Sequence, residues 1–235
     1  MIEAINRLLP LASVTDDWIA LIIIPSVIVF IVGMIILGYR AQKKRSERLA
    51  GIAEGLGMQF TPDSQKSDGF GFSHMPLFSK GRSRRIRNLM SGPMADADGY
   101  LFDYRYTTGG GKNSSTYNQT VAVFHVPQHD LPGFSCKPEH FFHKVADMFG
   151  YDDINFESYP VFSKNFRLTG TNEAAVRTIF SPQVIELLQK QTDKPWSIDA
   201  EGKWIAIYRP SRRIPPEQWS EFLLESTSLL NELTL

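Results

Sequence analysis

The longest apolar stretch of the chain is the 22-residue run from Trp18 to Tyr39, which has no charged residue and is dominated by Ile, Val and Leu. A helix of that length, at about 1.5 Å per residue, spans roughly 33 Å, enough for a hydrocarbon core of about 30 Å. Trp18 and Tyr39 close its two ends, where amphipathic rings prefer the headgroup level. Pro25 falls in the first third, a place tolerated in a lipid-embedded helix. The pattern predicts a membrane span and not a buried helix of a soluble protein. A cleaved signal peptide is excluded by an acidic leader (Glu3, Asp16 and Asp17 against Arg7) and by the lack of a small-residue cleavage site before Arg40.

After the span, Leu49, Ile52, Ala53 and Leu56 recur at helical spacing, and Gly55 and Gly57 supply a stop, so a helix is expected from Arg40 to about Leu56. Met58–Ser83 is rich in Gly, Ser, Asp and Pro and reads as a loop with one or two short strands. Alternation then takes over. Strands are predicted at Arg84–Ser91, around Tyr100–Tyr106, at Thr116–Val126 and at Gly133–Lys137, with a turn at Pro93–Asp98 and a loop at Thr107–Ser115. Their succession predicts an antiparallel meander. Pro138 is expected to open a helix with Phe141, Phe142, Val145, Met148 and Phe149 as its apolar stripe and Gly150 as its end. A strand at Phe166–Thr169, helix over Asn172–Gln191 broken at Pro182, a hairpin (Trp196–Asp199 and Lys203–Arg209 about an Ala200–Gly202 turn) and a final helix from Pro215 or Pro216 complete the pattern. In that last helix Trp219, Phe222, Leu223, Leu230 and Leu233 face a core. Strands in runs with helices segregated from them indicate an α+β fold.

These elements partition the chain into an extracytoplasmic N-terminus (1–17), the span (18–39), a basic juxtamembrane helix (40–57) and an α+β domain (58–235) whose candidate internal boundary lies near 138. Composition changes this picture little: 43% hydrophobic and 21% charged residues fit a globular protein. Cys136 is the only cysteine, which excludes an intramolecular disulfide and fits a reducing compartment. Charge adds more. The net charge is zero, yet residues 40–89 hold eleven basic against four acidic side chains, so that +7 there is balanced by −7 elsewhere. Asp16 and Asp17 precede the span, whereas Arg40, Lys43, Lys44, Arg45 and Arg48 come after it. Basic flanks are retained on the cytoplasmic side, so the N-terminus is expected outside and the domain inside.

Candidate chemistry is sparse. Gly109-Gly110-Gly111-Lys112 lacks the upstream glycine and the following Ser or Thr of a phosphate-binding loop, and it joins two strands, so it reads as a hairpin tip. Glu139-His140-Phe141-Phe142-His143 has its histidines three apart with the glutamate before them, against the zincin order; His140, His143, Lys144 and Asp147 read as a solvated helix face. His125 and His129 straddle a strand end. Asp103 and Arg105 share a strand face and are candidates for an ion pair. Cys136 has no activating neighbourhood, and no Gly-x-Ser-x-Gly elbow occurs. No catalytic, cofactor-binding or metal-ligating residue is assigned. The echo of Pro76–Lys80 in Pro160–Lys164 is what chance yields.

One cluster stands out: Lys80, Arg82, Arg84, Arg85 and Arg87, five basic residues within eight positions. If Arg84–Ser91 is an edge strand, Arg85 and Arg87 point one way and Arg84 the other. The cluster is expected to contact anionic lipid headgroups; tethering and the acidic distal half argue against nucleic acid.

The strings LFDYRYTTGGGK (101–112), QTVAVF (119–124), LPGFSCKPE (131–139), PVFSKNFRLTG (160–170) and WIAIY (204–208) resemble uncharacterised bacterial single-span membrane proteins with a cytoplasmic domain of unknown function. The resemblance runs from about Arg48 to the C-terminus. It implies a bacterial inner membrane and transfers no catalytic residue. The leading expectation is a membrane-tethered binding or scaffolding domain, its partners being the lipid bilayer and a protein of unknown identity. The alternative is a membrane-associated hydrolase acting on lipid or envelope precursors, which would show a pocket with convergent polar groups.

Overall fold

The computed structural model describes residues 14–63, 65–94, 96–142, 152–191 and 193–235. The chain divides into two compact units, Met1–Glu47 and Arg48–Leu235.

Helix α1 runs over Val14–Gly55. In the first unit its apolar side chains are exposed all round, with Leu21, Val29, Phe30 and Leu37 each at 62% or more. A helix that is apolar on every side and buried on none requires an apolar solvent. Among the described residues it is the one helix long and apolar enough to cross a membrane, in keeping with membrane anchoring. Near Pro25, the Ser26 hydroxyl donates to the Ile22 carbonyl at 2.7 Å, which keeps that polar group satisfied within the helix. In the second unit α1 continues through Leu49 and Ala53, both fully buried. It ends where Gly57 turns to φ +67° and the Met58 N–H donates back to Ala53 O at 2.9 Å.

The second unit is built on one antiparallel sheet. Its strands are β1 (Gln59–Thr61), β2 (Gln65–Lys66), β3 (Arg82–Met94), β4 (Ala97–Thr108), β5 (Ser115–His125), β6 (Leu131–Pro138), β7 (Phe166–Gly170), β8 (Ser197–Gly202) and β9 (Trp204–Tyr208). Their spatial order is β1-β3-β4-β5-β9-β8-β6-β7, with β2 also on β3. The helices are α2 (Pro76–Ser79), α3 (Glu139–Phe142), α4 (Pro160–Asn165), α5 (Glu173–Ile179), α6 (Pro182–Gln189) and α7 (Trp219–Leu233). One sheet face packs under α4–α7 and the last turns of α1, through Phe124, Phe134, Ile205 and Ile207 against Phe162, Val184, Leu188, Trp219 and Phe222. The other face, with Phe102, Tyr104, Val121 and Tyr208, is covered by Phe72, Met75, Leu77 and Phe78 from the segment around α2. The fold is α+β, as the pattern predicts.

The meander is a different matter. β3, β4 and β5 are consecutive neighbours, but β6 does not lie beside β5: the β8–β9 hairpin stands between them. The link from His125 to Leu131 passes the tip of that hairpin, with His125 level with Trp204, Leu131 level with Gly202, and the Val126 N–H on Lys203 O at 2.9 Å. Three strand spacings amount to about 14 Å, within the roughly 20 Å that six extended residues reach. A tight tip is what lets the link pass, and Gly202, at φ +60°, provides it. The turn is accordingly narrower than the predicted Ala200–Gly202, because strand pairing continues to Glu201 and Trp204. Likewise the Pro93–Asp98 turn shrinks: β3 continues through Pro93, opposite Asp98, to Met94 opposite Ala97. Pro93 lies beyond the last β1 partner, Ser91, so its missing N–H deprives no ladder bond. Pro138 closes β6 opposite Phe166, and α3 starts one residue later. The expected helical positions His143, Lys144, Val145, Asp147, Met148, Phe149 and Gly150, and the side chain of Phe142, lie outside the described residues.

The segment after β9 is fastened back onto β4 and β5. Asp103 accepts from Asn88 Nδ2 at 2.8 Å, Thr120 Oγ1 at 3.2 Å and an Arg213 guanidinium nitrogen at 2.9 Å. Thr120 Oγ1 in turn accepts the Ile214 N–H at 2.9 Å. The pair expected with Arg105 is thus replaced: Asp103 turns to Arg213, brought in from 110 residues away. Asp103→Ala strands the buried donors of Asn88 and Thr120 and is expected to lower stability by on the order of 3 kcal/mol, whereas Arg105→Ala stays within about 0.5 kcal/mol. Urea denaturation monitored by tryptophan fluorescence distinguishes the two; equal small losses would refute the Asp103 network.

Candidate functional site

β3 carries four of the five residues of the basic cluster, Lys80 preceding it, and two bulges, between Arg82 and Arg85 and between Arg87 and Met90, where Ser83 (φ 54°) and Asn88 (φ 52°) take the left-handed conformation. Asn tolerates that region better than most residues. The second bulge resets the alternation, so that Ile86 and Leu89, three apart, pack into the core on the α2 side, while Arg87 and Met90 face the other way. Nor is Arg84–Ser91 an edge strand: β1 pairs with Leu89–Ser91 and β2 with Arg85–Ile86.

Register then assembles a site that no single strand shows. Arg85 stands opposite Arg105, which stands opposite Asn118; Arg87 stands opposite Asp103; Arg82 stands opposite Thr107, which pairs with Thr116. All of these side chains share one sheet face, and Arg82, Arg85, Arg87, Arg105, Thr116 and Asn118 are exposed. Like charges directly across a ladder repel. Asp103, the carboxylate of this group, is already engaged by Arg213 at 2.9 Å. Four arginines on a solvated sheet face therefore form a cationic surface suited to planar, bidentate oxyanions such as phosphate. Arg82 also donates to the Gly109 carbonyl, which ties the patch to the β4–β5 tip. Arg105 escapes a reading of local sequence because it lies outside the run at 80–87; cross-strand register alone recruits it.

The remaining two members of the predicted cluster go to the opposite face. Arg84 donates to Phe78 O at 2.7 Å and pairs with Asp68 at 2.9 Å. Lys80 Nζ is buried and has no hydrogen-bond partner among the described residues. Near it lies a polar group with no signature in the sequence. Asp199, wholly buried, accepts from Ser135 Oγ at 2.6 Å and Tyr208 OH at 2.9 Å, and pairs with Lys137 Nζ at 3.3 Å. Burial pushes the Tyr208 phenol well up, and Asp199 beside it adds to the effect. Burial also holds the Lys80 amine down at about 8, with Lys137 lowering it further and Asp199 opposing. Tyr104, Tyr106 and Tyr117 stack in sequence alongside, at centroid distances of 5.5 and 5.1 Å.

The other sequence motifs lie apart from both groups. Gly109–Lys112 is the exposed tip between β4 and β5, tightened by a 3₁₀ turn over Gly111–Asn113. His125 lies against Trp204 at 4.5 Å and faces Asp98 at 3.5 Å. Cys136 is fully buried, and burial pushes its thiol well up, away from reactivity. Among the described residues no group of three His, Cys, Asp or Glu side chains is arranged to hold a metal; His143 and Asp147 lie outside them.

No protein-family model matches the sequence, and no curated protein does. Among solved structures, the crystal structure of the mycobacterial trehalose monomycolate transport factor A is similar, with a TM-score of 0.57 at 14% sequence identity over 80% of this chain and 93% of that chain. At that identity the likeness is one of fold.

The state of Lys80 has a measurable consequence. Its folded value, about 8, lies below its ordinary 10.5. Below pH 8 the folded chain carries the cost of a buried ammonium. Between about pH 8 and 10.5 the folded form has released a proton that the unfolded form retains, so stability rises with pH across that window. Urea melts in phosphate-free buffer at pH 7 and 9.5 are expected to show this rise in the wild type and a smaller one in Lys80→Met. The same rise in both proteins would mean that Lys80 is solvated in solution.

Proposed function

We propose that this protein is a membrane-tethered binding domain of the bacterial inner membrane, with its N-terminus outside and the domain on the cytoplasmic side. The arginine face of β3 and β4 docks on anionic lipid headgroups. The observation that carries this reading is the register of Arg85 against Arg105, flanked by Arg82 and Arg87, on an exposed sheet face. Such a juxtaposition costs stability unless an anion relieves it. Each basic group near an anionic leaflet contributes about 1 kcal/mol, and a tether raises the effective lipid concentration that the face meets. Support comes also from the exposed apolar helix and from a fold shared with a protein named as a trehalose monomycolate transport factor. A scaffolding role toward a protein partner is compatible with the same tether.

Docking is tested with residues 48–235 and vesicles. Binding is expected to rise with anionic lipid and to weaken with salt. Arg85→Glu, Arg87→Glu and Arg105→Glu together are expected to reduce it roughly 100-fold, from about 1 kcal/mol per lost contact. Lys112→Glu, a reversal at the hairpin tip, serves as the control. Indifference of the wild type to anionic vesicles at low salt would sink the docking reading.

Topology is tested separately. Reporters fused after Arg48 and after Leu235 are expected to behave as cytoplasmic, and a tag before Ile2 to be reachable from outside, because the basic flank lies on the C-terminal side of the span. A periplasmic signal from the C-terminal fusion would reverse the orientation.

A further inference from the structure

Charges on a sheet meet in rows that run across the strands, not along them. Arg85 of β3 stands opposite Lys66 of β2 on one side and opposite Arg105 of β4 on the other, and Arg105 in turn stands opposite Asn118 of β5. Directly opposite residues share a face, so these four form one row, and all four are exposed. With neighbouring strands about 4.8 Å apart, its three cationic residues span roughly 10 Å. Among the described residues, no ion pair or side-chain hydrogen bond engages Lys66, Arg85 or Arg105. The nearby carboxylates are taken: Asp68 pairs with Arg84 at 2.9 Å and Asp103 with Arg213 at 2.9 Å. The row ends on the Asn118 amide, which adds donors and no charge. It is a line of three cations without a counter-charge of its own.

We propose that this row is the headgroup-reading part of the arginine face and that it selects a lipid phosphate monoester over a phosphodiester. The selection rests on the docking reading given above. A diester phosphate has two free oxygens and one charge, and its own substituents flank it on both sides. A terminal monoester has three free oxygens, carries about −1.5 to −2 near neutrality, and projects from the leaflet toward an open row. A guanidinium fork engages two oxygens. Two forks closing on one phosphorus therefore need three free oxygens, one of them shared, whereas two oxygens serve a single fork. Arg85 and Arg105, one strand spacing apart, supply the two forks. The second charge of the monoester offsets the repulsion between them, which a single charge relieves only in part. Lys66 brings a point charge on a flexible stem from the β2 side, and Asn118 an amide donor from the β5 side. Arg82 and Arg87 stand in other rows, opposite Thr107 and Asp103. They hold the face to the leaflet by charge and do not read the headgroup.

The test uses the full chain in non-ionic detergent and two probes with identical acyl chains, dioleoyl phosphatidic acid (a monoester) and dioleoyl phosphatidylglycerol (a diester). Each is titrated singly at neutral pH and low salt, and bound lipid is counted by native mass spectrometry. The wild type is expected to bind phosphatidic acid about fivefold tighter, the effect of one further charge near a basic surface. Lys66→Gln and Arg105→Gln, both at exposed strand positions, are each expected to bring the two affinities to within about twofold of each other. They do so by weakening phosphatidic acid more than phosphatidylglycerol, while Lys112→Gln at the hairpin tip changes neither. Equal affinity of the wild type for both lipids, with loss of both in the variants, overturns the selection and leaves docking standing. A preference for phosphatidic acid that both variants keep in full also overturns it, because the headgroup is then read elsewhere. If neither lipid responds to these variants or to Arg85→Glu, Arg87→Glu and Arg105→Glu together, docking and selection fall together.

Discussion

The β5–β9 ladder, Val121–His125 against Tyr208–Trp204, joins the two parts of the sheet. On one side lie strands from the first half of the domain, β1 to β5; on the other lie β8, β6 and β7. Only the late β8–β9 hairpin bridges them, entering between two strands that are neighbours in sequence. Its central residues offset the cost of entry by burial: Ile205 and Ile207 toward the helices, Ala206 and the Tyr208 ring toward α2. The segment beyond β9 is equally constrained, because the chain must return past β4 and β5 before α7 can close the helical layer. The Asp103, Thr120 and Arg213 contacts fasten that return.

The same sheet separates two kinds of positive charge. On the exposed stretch of the helix-side face, guanidinium groups sit opposite one another in a ladder, a geometry that pairwise electrostatics disfavours and water only partly screens. On the α2 side, a lysine ammonium, Lys137, is buried against the carboxylate of Asp199. Concentrations of like charge are local inconsistencies, and such places are where function is expected to depart from stability. Phe72, Phe78, Phe102 and Tyr104 pack in series on the α2 side of the sheet.

Local pattern was enough for much of this molecule. A charge-free run of 22 residues cannot be anything but a long apolar helix. Period-two alternation at Tyr100–Tyr106, and helical spacing at Trp219, Phe222, Leu230 and Leu233, follow from the face that each successive side chain takes, which sequence encodes directly. The opposite directions of Arg84 and Arg85 came from the pleat. Register, sheet order and titration state did not lie in any local pattern. A strand's own residues say which face each side chain takes, but not which strand lies beside it, so the insertion of β8–β9 between β5 and β6 and the meeting of Arg85 with Arg105 were decided by long-range pairing. The bulge at Asn88 was settled by tertiary bonds to Asp103. Lys80 looked like one more surface cation because composition carries no information on solvent; only packing under α2, next to Lys137 and Asp199, made it a buried amine.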